Sequence, residues 1–160
     1  MATLVGSQMK FETAMNQLLE LEYDACGAYQ AAIKRMKSKE YKAKFESFCQ
    51  DHQRHIKELT ALMEKHECKM ASGPDRSKSY LAKGKVMVGK MMGDAGILMA
   101  MKTNEDDTNT AYERCLSHPN KWADCESYLQ DALSDERRHR EWIMKTMSTK
   151  TRSFTKELGL

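Results

Sequence analysis

Along four segments of the chain, apolar residues recur at alternating steps of three and four, the spacing that lines one face of an α-helix. The first stripe is Phe11, Met15, Leu18, Glu22, Ala25, Tyr29, Ala32, Met36, and the second is Tyr41, Phe45, Phe48, His52, His55, Leu59, Leu62, His66. The third is Met87, Met91, Asp94, Leu98, Met101, Glu105, Thr108, Tyr112, Cys115, and the fourth is Trp122, Cys125, Leu129, Ala132, Glu136, His139, Ile143. No alternating pattern of the kind a strand shows competes with them. An all-α bundle of four long helices is the fold this dictates.

The breaks between stripes are chemical. Pro74 in MASGPDRSKS and Pro119 in SHPNKW are the only prolines, and both lie in polar stretches. A third break falls at MKSKE, where Ser38 is placed to cap a new helix with Glu40 in its first turn. Helices are expected over roughly 8–37, 39–67, 78–116 and 120–148, with a mobile basic tail over 149–160. The linker from Glu67 to Ser79, containing Gly73 and Pro74, is long enough to cross the bundle between helices two and three. All of this fits one domain, because 160 residues can enclose a single core without staples.

Composition excludes several roles. Lys and Arg number 26 against 23 Asp and Glu, so the net charge is +3 and is spread along the chain, which argues for neither nucleic acid nor membrane. Cys26, Cys49, Cys68, Cys115 and Cys125 are odd in number and form no CxxC pair, which points to a reducing cytoplasm rather than a disulfide framework or zinc ribbon. The opening MATLVGSQMK has no apolar run of signal-peptide length, and nothing later approaches the ~18 apolar residues of a membrane span. A soluble cytoplasmic protein is expected.

Each stripe is apolar except where carboxylates and imidazoles intrude. Six such groups fall on core positions: Glu22, His52, His55, Glu105, Glu136 and His139. Folded as two hairpins, Glu22 lies about as far before the Ser38 turn as His52 and His55 lie after it. Glu105 stands similarly to Glu136 and His139 about Pro119. The six can therefore meet in one layer, whereas Asp94 lies about three turns from Glu105 and belongs to another. The chain also repeats itself: each half has a Glu followed seven residues later by Tyr (Tyr29, Tyr112), and then Asp-x-x-Arg-His, DHQRH in one half and DERRH in the other.

Burying several ionised carboxylates together is prohibitively costly unless a cation neutralises them. Oxygen and nitrogen donors without thiolate suit iron, manganese or zinc. With these residues in view, the chain resembles the ferritin-like di-iron carboxylate superfamily, whose pattern is Glu, Glu-x-x-His, Glu, Glu-x-x-His on successive helices. GDAGILMAMKTNEDDTNTAYERCL with the later DERRH is similar to a bacterial ferritin-like four-helix-bundle group known only as a domain of unknown function. The resemblance implies two irons per chain. Glu22 and His55 would be terminal ligands of one, Glu105 and His139 of the other, and Glu136 would bridge both. It also implies a homodimer of paired bundles, and reaction of iron(II) with dioxygen or peroxide in iron handling or oxidative-stress defence. His52 departs from the pattern, because it stands where the second bridging carboxylate would be and a neutral imidazole offers a single lone pair. An asymmetric site, or one well-bound metal with a weaker second position, is expected.

Plainer readings stand beside these. The histidines could be satisfied core residues, with the glutamates paired to Arg54, Arg137 or Arg138. The thirteen methionines are expected as core filler rather than soft-metal ligands. The thiols are too scattered to line a copper or zinc store. Gly84, Gly89, Gly93 and Gly96 are expected at close helix contacts. Tyr29 and Tyr112 are placed either to bond a ligand carboxylate or to serve as ordinary buried phenols. His66 and His118 are expected at helix ends against dipole or solvent. From another class comes a non-catalytic, stress-related or partner-binding bundle whose metal, if any, is structural.

Overall fold

The computed structural model describes residues 3–70 and 92–157. They form four α-helices and, among the described residues, no strand: α1 Phe11–Arg35, α2 Lys39–Lys65, α3 Gly93–Leu116 and α4 Glu126–Glu157, with a 3-10 turn at Ala123–Cys125 leading into α4. None is long and apolar enough to cross a membrane. Every member of the first stripe is buried, as are the third from Leu98 to Cys115 and the fourth from Cys125 to Ile143. Fully burying a side chain such as Leu18, Leu59 or Leu129 contributes roughly 1.5–3 kcal/mol, so the stripes are what hold the bundle together. The apolar side chains separate into two clusters, one around Leu18, Leu59 and Leu129, the other around Phe45, Leu98 and Ile143.

Residue pairings give the helix directions. Lys37 and Ser38 donate their backbone N–H groups to Asp94 at 2.7 and 2.9 Å, while Arg114 reaches the carbonyl of Thr3, so α1 and α3 are antiparallel. Lys65 meets Asp124 at 2.6 Å and Arg138 meets Asp51 at 2.9 Å, so α2 and α4 are antiparallel too. With α1 and α2 joined by a tight turn, α3 must run parallel to α2. The connection between them therefore joins opposite ends of the bundle, as the long linker requires. Most of that linker, and the expected start of the third helix with Met87 and Met91, lies outside the described residues.

Ser38 caps α2 as expected, its hydroxyl accepting from the Tyr41 N–H at 3.3 Å. Several expectations need correction. The third helix is not continuous from residue 78: Met92 is extended and Gly93 has φ +71°, a conformation that L side chains rarely adopt. Nothing lies within 4 Å of a Cβ built at Gly93, so that glycine serves the positive φ at the start of α3 rather than a close helix contact. The backbone is not irregular from residue 149 but stays helical as part of α4 to Glu157, because neither Gly nor Pro interrupts it between Glu126 and Glu157. His118 is not at the solvent: it is buried, donates Nε2–H to the Gln8 carbonyl at 2.7 Å and accepts from the Asn120 N–H at Nδ1. His66 stacks on Trp122 with centroids 3.9 Å apart and contacts Asp124 at 2.9 Å.

Close packing instead falls at Gly6, where a Cβ would come within 2.6 Å of the Arg114 Cβ. Its φ of +86° lets residues before α1 lie along α3, where the Thr3 N–H reaches Asp107 at 3.0 Å.

Candidate metal centre

The six intruding groups converge. Glu22 projects from α1, His52 and His55 from α2, Glu105 from α3, Glu136 and His139 from α4, and each is at most 1% exposed. They form two groups of four, Glu22–His52–His55–Glu136 and His52–Glu105–Glu136–His139, within each of which one donor atom per residue lies within 4.8 Å of the others. His52 and Glu136 belong to both. Two metal–ligand bonds placed back to back span about 4.4 Å, so such a group needs little contraction to close on an ion.

His52 Nδ1 lies 2.7 Å from Glu22 Oε2 and 3.4 Å from Glu136 Oε1, and its Nε2 lies 3.9 Å from Glu105 Oε1. His55 Nδ1 is 3.3 Å from both Glu22 Oε1 and Glu136 Oε1, and His139 Nδ1 is 3.8 Å from Glu105 Oε2. Buried without a hydrogen-bond partner are His52 Nε2, Nδ1 of His55 and of His139, Glu105 Oε2 and both oxygens of Glu136. Buried polar atoms are normally satisfied, at a cost of ~1–3 kcal/mol each when they are not. Here the unsatisfied ones point at one another, and they are imidazole nitrogens and carboxylate oxygens, donors that iron, manganese and zinc accept.

The support around these groups is reciprocal. His139 Nε2 lies 2.9 Å from Asp51 Oδ2, and His55 Nε2 lies 3.1 Å from Asp135 Oδ2. Each aspartate of the repeated Asp-x-x-Arg-His thus holds the histidine of the other copy, fixing Nε2 as the protonated nitrogen and leaving the Nδ1 lone pair facing inward. Arg54 and Arg138 each bridge Asp51 and Asp135. Arg137 pairs with Glu113, so among the described residues these three arginines have their carboxylate partners outside the cluster.

The tyrosines cross over as well. Tyr29 donates to Glu105 Oε1, and Tyr112 donates to Glu22 Oε1 at 2.5 Å. A tyrosine seven residues along its own helix is ~10 Å from that helix's glutamate, whereas the antiparallel neighbour brings the other glutamate alongside.

Sequence reasoning missed Asp51 and Asp135 as supports, because one step along a helix turns a side chain about 100° from the seam. That angle aims each at the neighbouring helix. The repeat itself, with Asp at the same offset in both copies, was the available signal. Tyr128 was also missed: its hydroxyl lies 2.9 Å from that of Tyr112 and donates to the His55 carbonyl at 3.2 Å. Asp94 lies outside the cluster, as expected, and binds the α1–α2 turn instead.

Electrostatics differ across the site. Burial alone would raise Glu22, but His52 and His55 outweigh it and hold its carboxyl well below the usual range. Burial opposes charge on His52, yet Glu136 and Glu22 raise it well above the ordinary value. Burial likewise opposes charge on His55, but Glu22 and Glu136 push it up to about 10. Glu136 is raised by burial against the pull of His52. His139 moves the other way, lowered by burial despite Asp51.

The family model for a domain of unknown function, DUF2383, matches residues 10–118, more than half of the chain. The chain belongs to that family. The matched region contains Glu22, His52, His55 and Glu105, while Glu136 and His139 lie beyond it. No curated protein and no solved structure matches the chain.

Proposed function

We propose that this DUF2383 protein is a cytoplasmic, ferritin-like, non-haem metal protein that holds two irons and oxidises iron(II) with dioxygen or peroxide, serving iron handling or oxidative-stress defence. What carries this reading is the convergence of unsatisfied nitrogen and carboxylate donors on two groups that share His52 and Glu136. In it, Glu22 and His55 would hold one ion, Glu105 and His139 the other, and Glu136, which belongs to both groups, would serve each. His52 contributes Nε2 toward the second ion while its Nδ1–H stays on Glu22. Bound iron supplies the electrons with which the oxidant is reduced. Asp51 and Asp135 keep His139 and His55 in the tautomer that offers Nδ1, and Tyr29 and Tyr112 orient Glu105 and Glu22 by donating to Oε1 of each, which leaves Oε2 of Glu105 without a hydrogen-bond partner. Because the neighbouring carboxylates favour the protonated forms of His52 and His55, protons would compete with a cation for these nitrogens.

Metal analysis of the protein as isolated and anaerobic iron(II) titration test the proposal. About two irons per chain, the second held more weakly, followed by near-ultraviolet iron(III) absorption when oxygen is admitted, is the expected result. Fewer than one iron per chain with no such absorption overturns it.

A second reading is favoured by the 2.7 Å contact of His52 with Glu22, which lets protons neutralise the cluster without a cation. It is a non-catalytic bundle with a structural or single metal: iron, zinc or manganese. The same titration separates the two, since this reading expects at most one ion and no oxygen-dependent spectrum.

A further inference from the structure

One pair of reactive side chains has no part in that chemistry: Cys26 on α1 and Cys49 on α2. The Cys26 thiol lies 3.9 Å from the Cys49 carbonyl oxygen, and the Cys49 thiol lies 4.0 Å from the Cys26 carbonyl oxygen. Each sulfur therefore reaches across to the other's backbone, so the two residues face each other at a close approach of α1 and α2. Such proximity is what a disulfide needs, with Cα atoms usually ~4–7 Å apart.

Their exposure sets them apart from the other buried thiols. Cys26 and Cys49 are buried but 7% and 6% exposed, while Cys115 and Cys125 are at 0%. Cys68 is more exposed, with its thiol against the His66 carbonyl. The two thiols also shift in opposite directions: the neighbouring Cys26 side chain lowers Cys49 against the effect of burial, while Cys26 is raised, so Cys49 is the sulfur better able to attack.

We propose that Cys26 and Cys49 are a peroxide-sensitive dithiol that closes to an intrachain disulfide between α1 and α2. The Cys49 thiolate attacks one oxygen of hydrogen peroxide. An S–O bond forms, the O–O bond breaks, and the departing hydroxide takes a proton to become water. The Cys26 sulfur then attacks the Cys49 sulfenic sulfur. The S–S bond forms as the S–O bond breaks, and the leaving hydroxide takes the Cys26 thiol proton as a second water. Two thiols and one peroxide become one disulfide and two waters, the sulfurs losing two electrons and the peroxide gaining them. Neither step uses a metal, so the assignment stands apart from the iron reading. In a reducing compartment such a bond is transient, suited to sensing rather than to stability.

Full-length protein, as isolated and after chelation, is treated with hydrogen peroxide, blocked with a maleimide and mapped with trypsin without reductant. The expected product links peptide 11–34 to peptide 45–54 with loss of two hydrogens, in both samples, at least about tenfold faster than Cys115 or Cys125 reacts. In Cys26→Ser, Cys49 should accumulate as a sulfenic acid that dimedone traps. The proposal is overturned if both cysteines remain alkylatable under peroxide that oxidises Cys68, if they end as separate sulfinic acids, or if the link forms only when metal is present.

Discussion

Hairpin α1–α2 brings Glu22, His52 and His55 to the centre of the bundle, and hairpin α3–α4 brings Glu105, Glu136 and His139. Both carry a tyrosine one heptad after the first glutamate and an aspartate that crosses to the other's histidine. The scaffolding is symmetric; the charge is not. Where one hairpin has His52 the other has Glu136, and that exchange sets the electrostatics on either side. His55 and His139 are equivalent in the repeat, yet one is pushed up to about 10 and the other down. The difference is geometric: His55 Nδ1 lies 3.3 Å from two carboxylates, whereas His139 Nδ1 is 3.8 Å from one and faces the charge on His52. Duplicated architecture thus leaves room for two unequal positions, with the inequality concentrated in one side chain.

The most severe way to break the comparison is to remove what both halves share. Glu136→Gln keeps the volume but removes the carboxylate common to both groups, and should lower affinity for both ions by about 100-fold or more, read by titration with metal analysis. If Glu136→Ala unfolds the chain while metal content per folded molecule is unchanged, the cluster is a structural ion network instead.

Next in size are the crossed supports. Asp51→Asn should weaken the ion held by His139, and Asp135→Asn the one held by His55, each by ~10–100-fold, so that each mutation acts on the histidine of the opposite hairpin. Titration by paramagnetic NMR of the histidine resonances distinguishes them, and an effect confined to the mutated hairpin would contradict the crossing.

His52→Glu restores symmetry and should tighten the weaker ion by roughly tenfold while lowering the melting temperature of the metal-free protein, since a fourth buried carboxylate adds repulsion that no arginine offsets. Unchanged stoichiometry and affinity would place His52 outside the metal's reach.

The same inequality should appear in the pH dependence of the metal-free protein. His55 is raised from its ordinary 6.5 to about 10 in the metal-free fold, so its contribution, on the order of a few kcal/mol, is fully present below pH 6.5 and lost as pH rises through 10. Melting temperatures of chelated protein should fall across that window, and metal affinity should rise across it because the displaced proton becomes cheaper to remove. A melting temperature that is flat from pH 6.5 to 10 would show that His55 does not carry the proton.

Much of this was open to a reader of the sequence. Helical phase is local, so Glu22, His52, His55, Glu105, Glu136 and His139 declare themselves by standing on apolar seams at matching distances from Ser38 and Pro119. What phase cannot say is which helix lies beside which, and that is where the supports are decided. Asp51 is off its own seam, and only the pairing of α2 with α4 puts it 2.9 Å from His139. Tyr29 serves Glu105 rather than Glu22 because α1 and α3 are antiparallel, and Cys26 meets Cys49 because α1 and α2 lie side by side there. The order of types along the chain determined four helices, one buried polar layer and its six members, since each depends on a few neighbouring residues. The tertiary structure decided tautomers, crossings and inequality between the two positions, since each depends on side chains from helices far apart in sequence meeting at distances of a few ångströms.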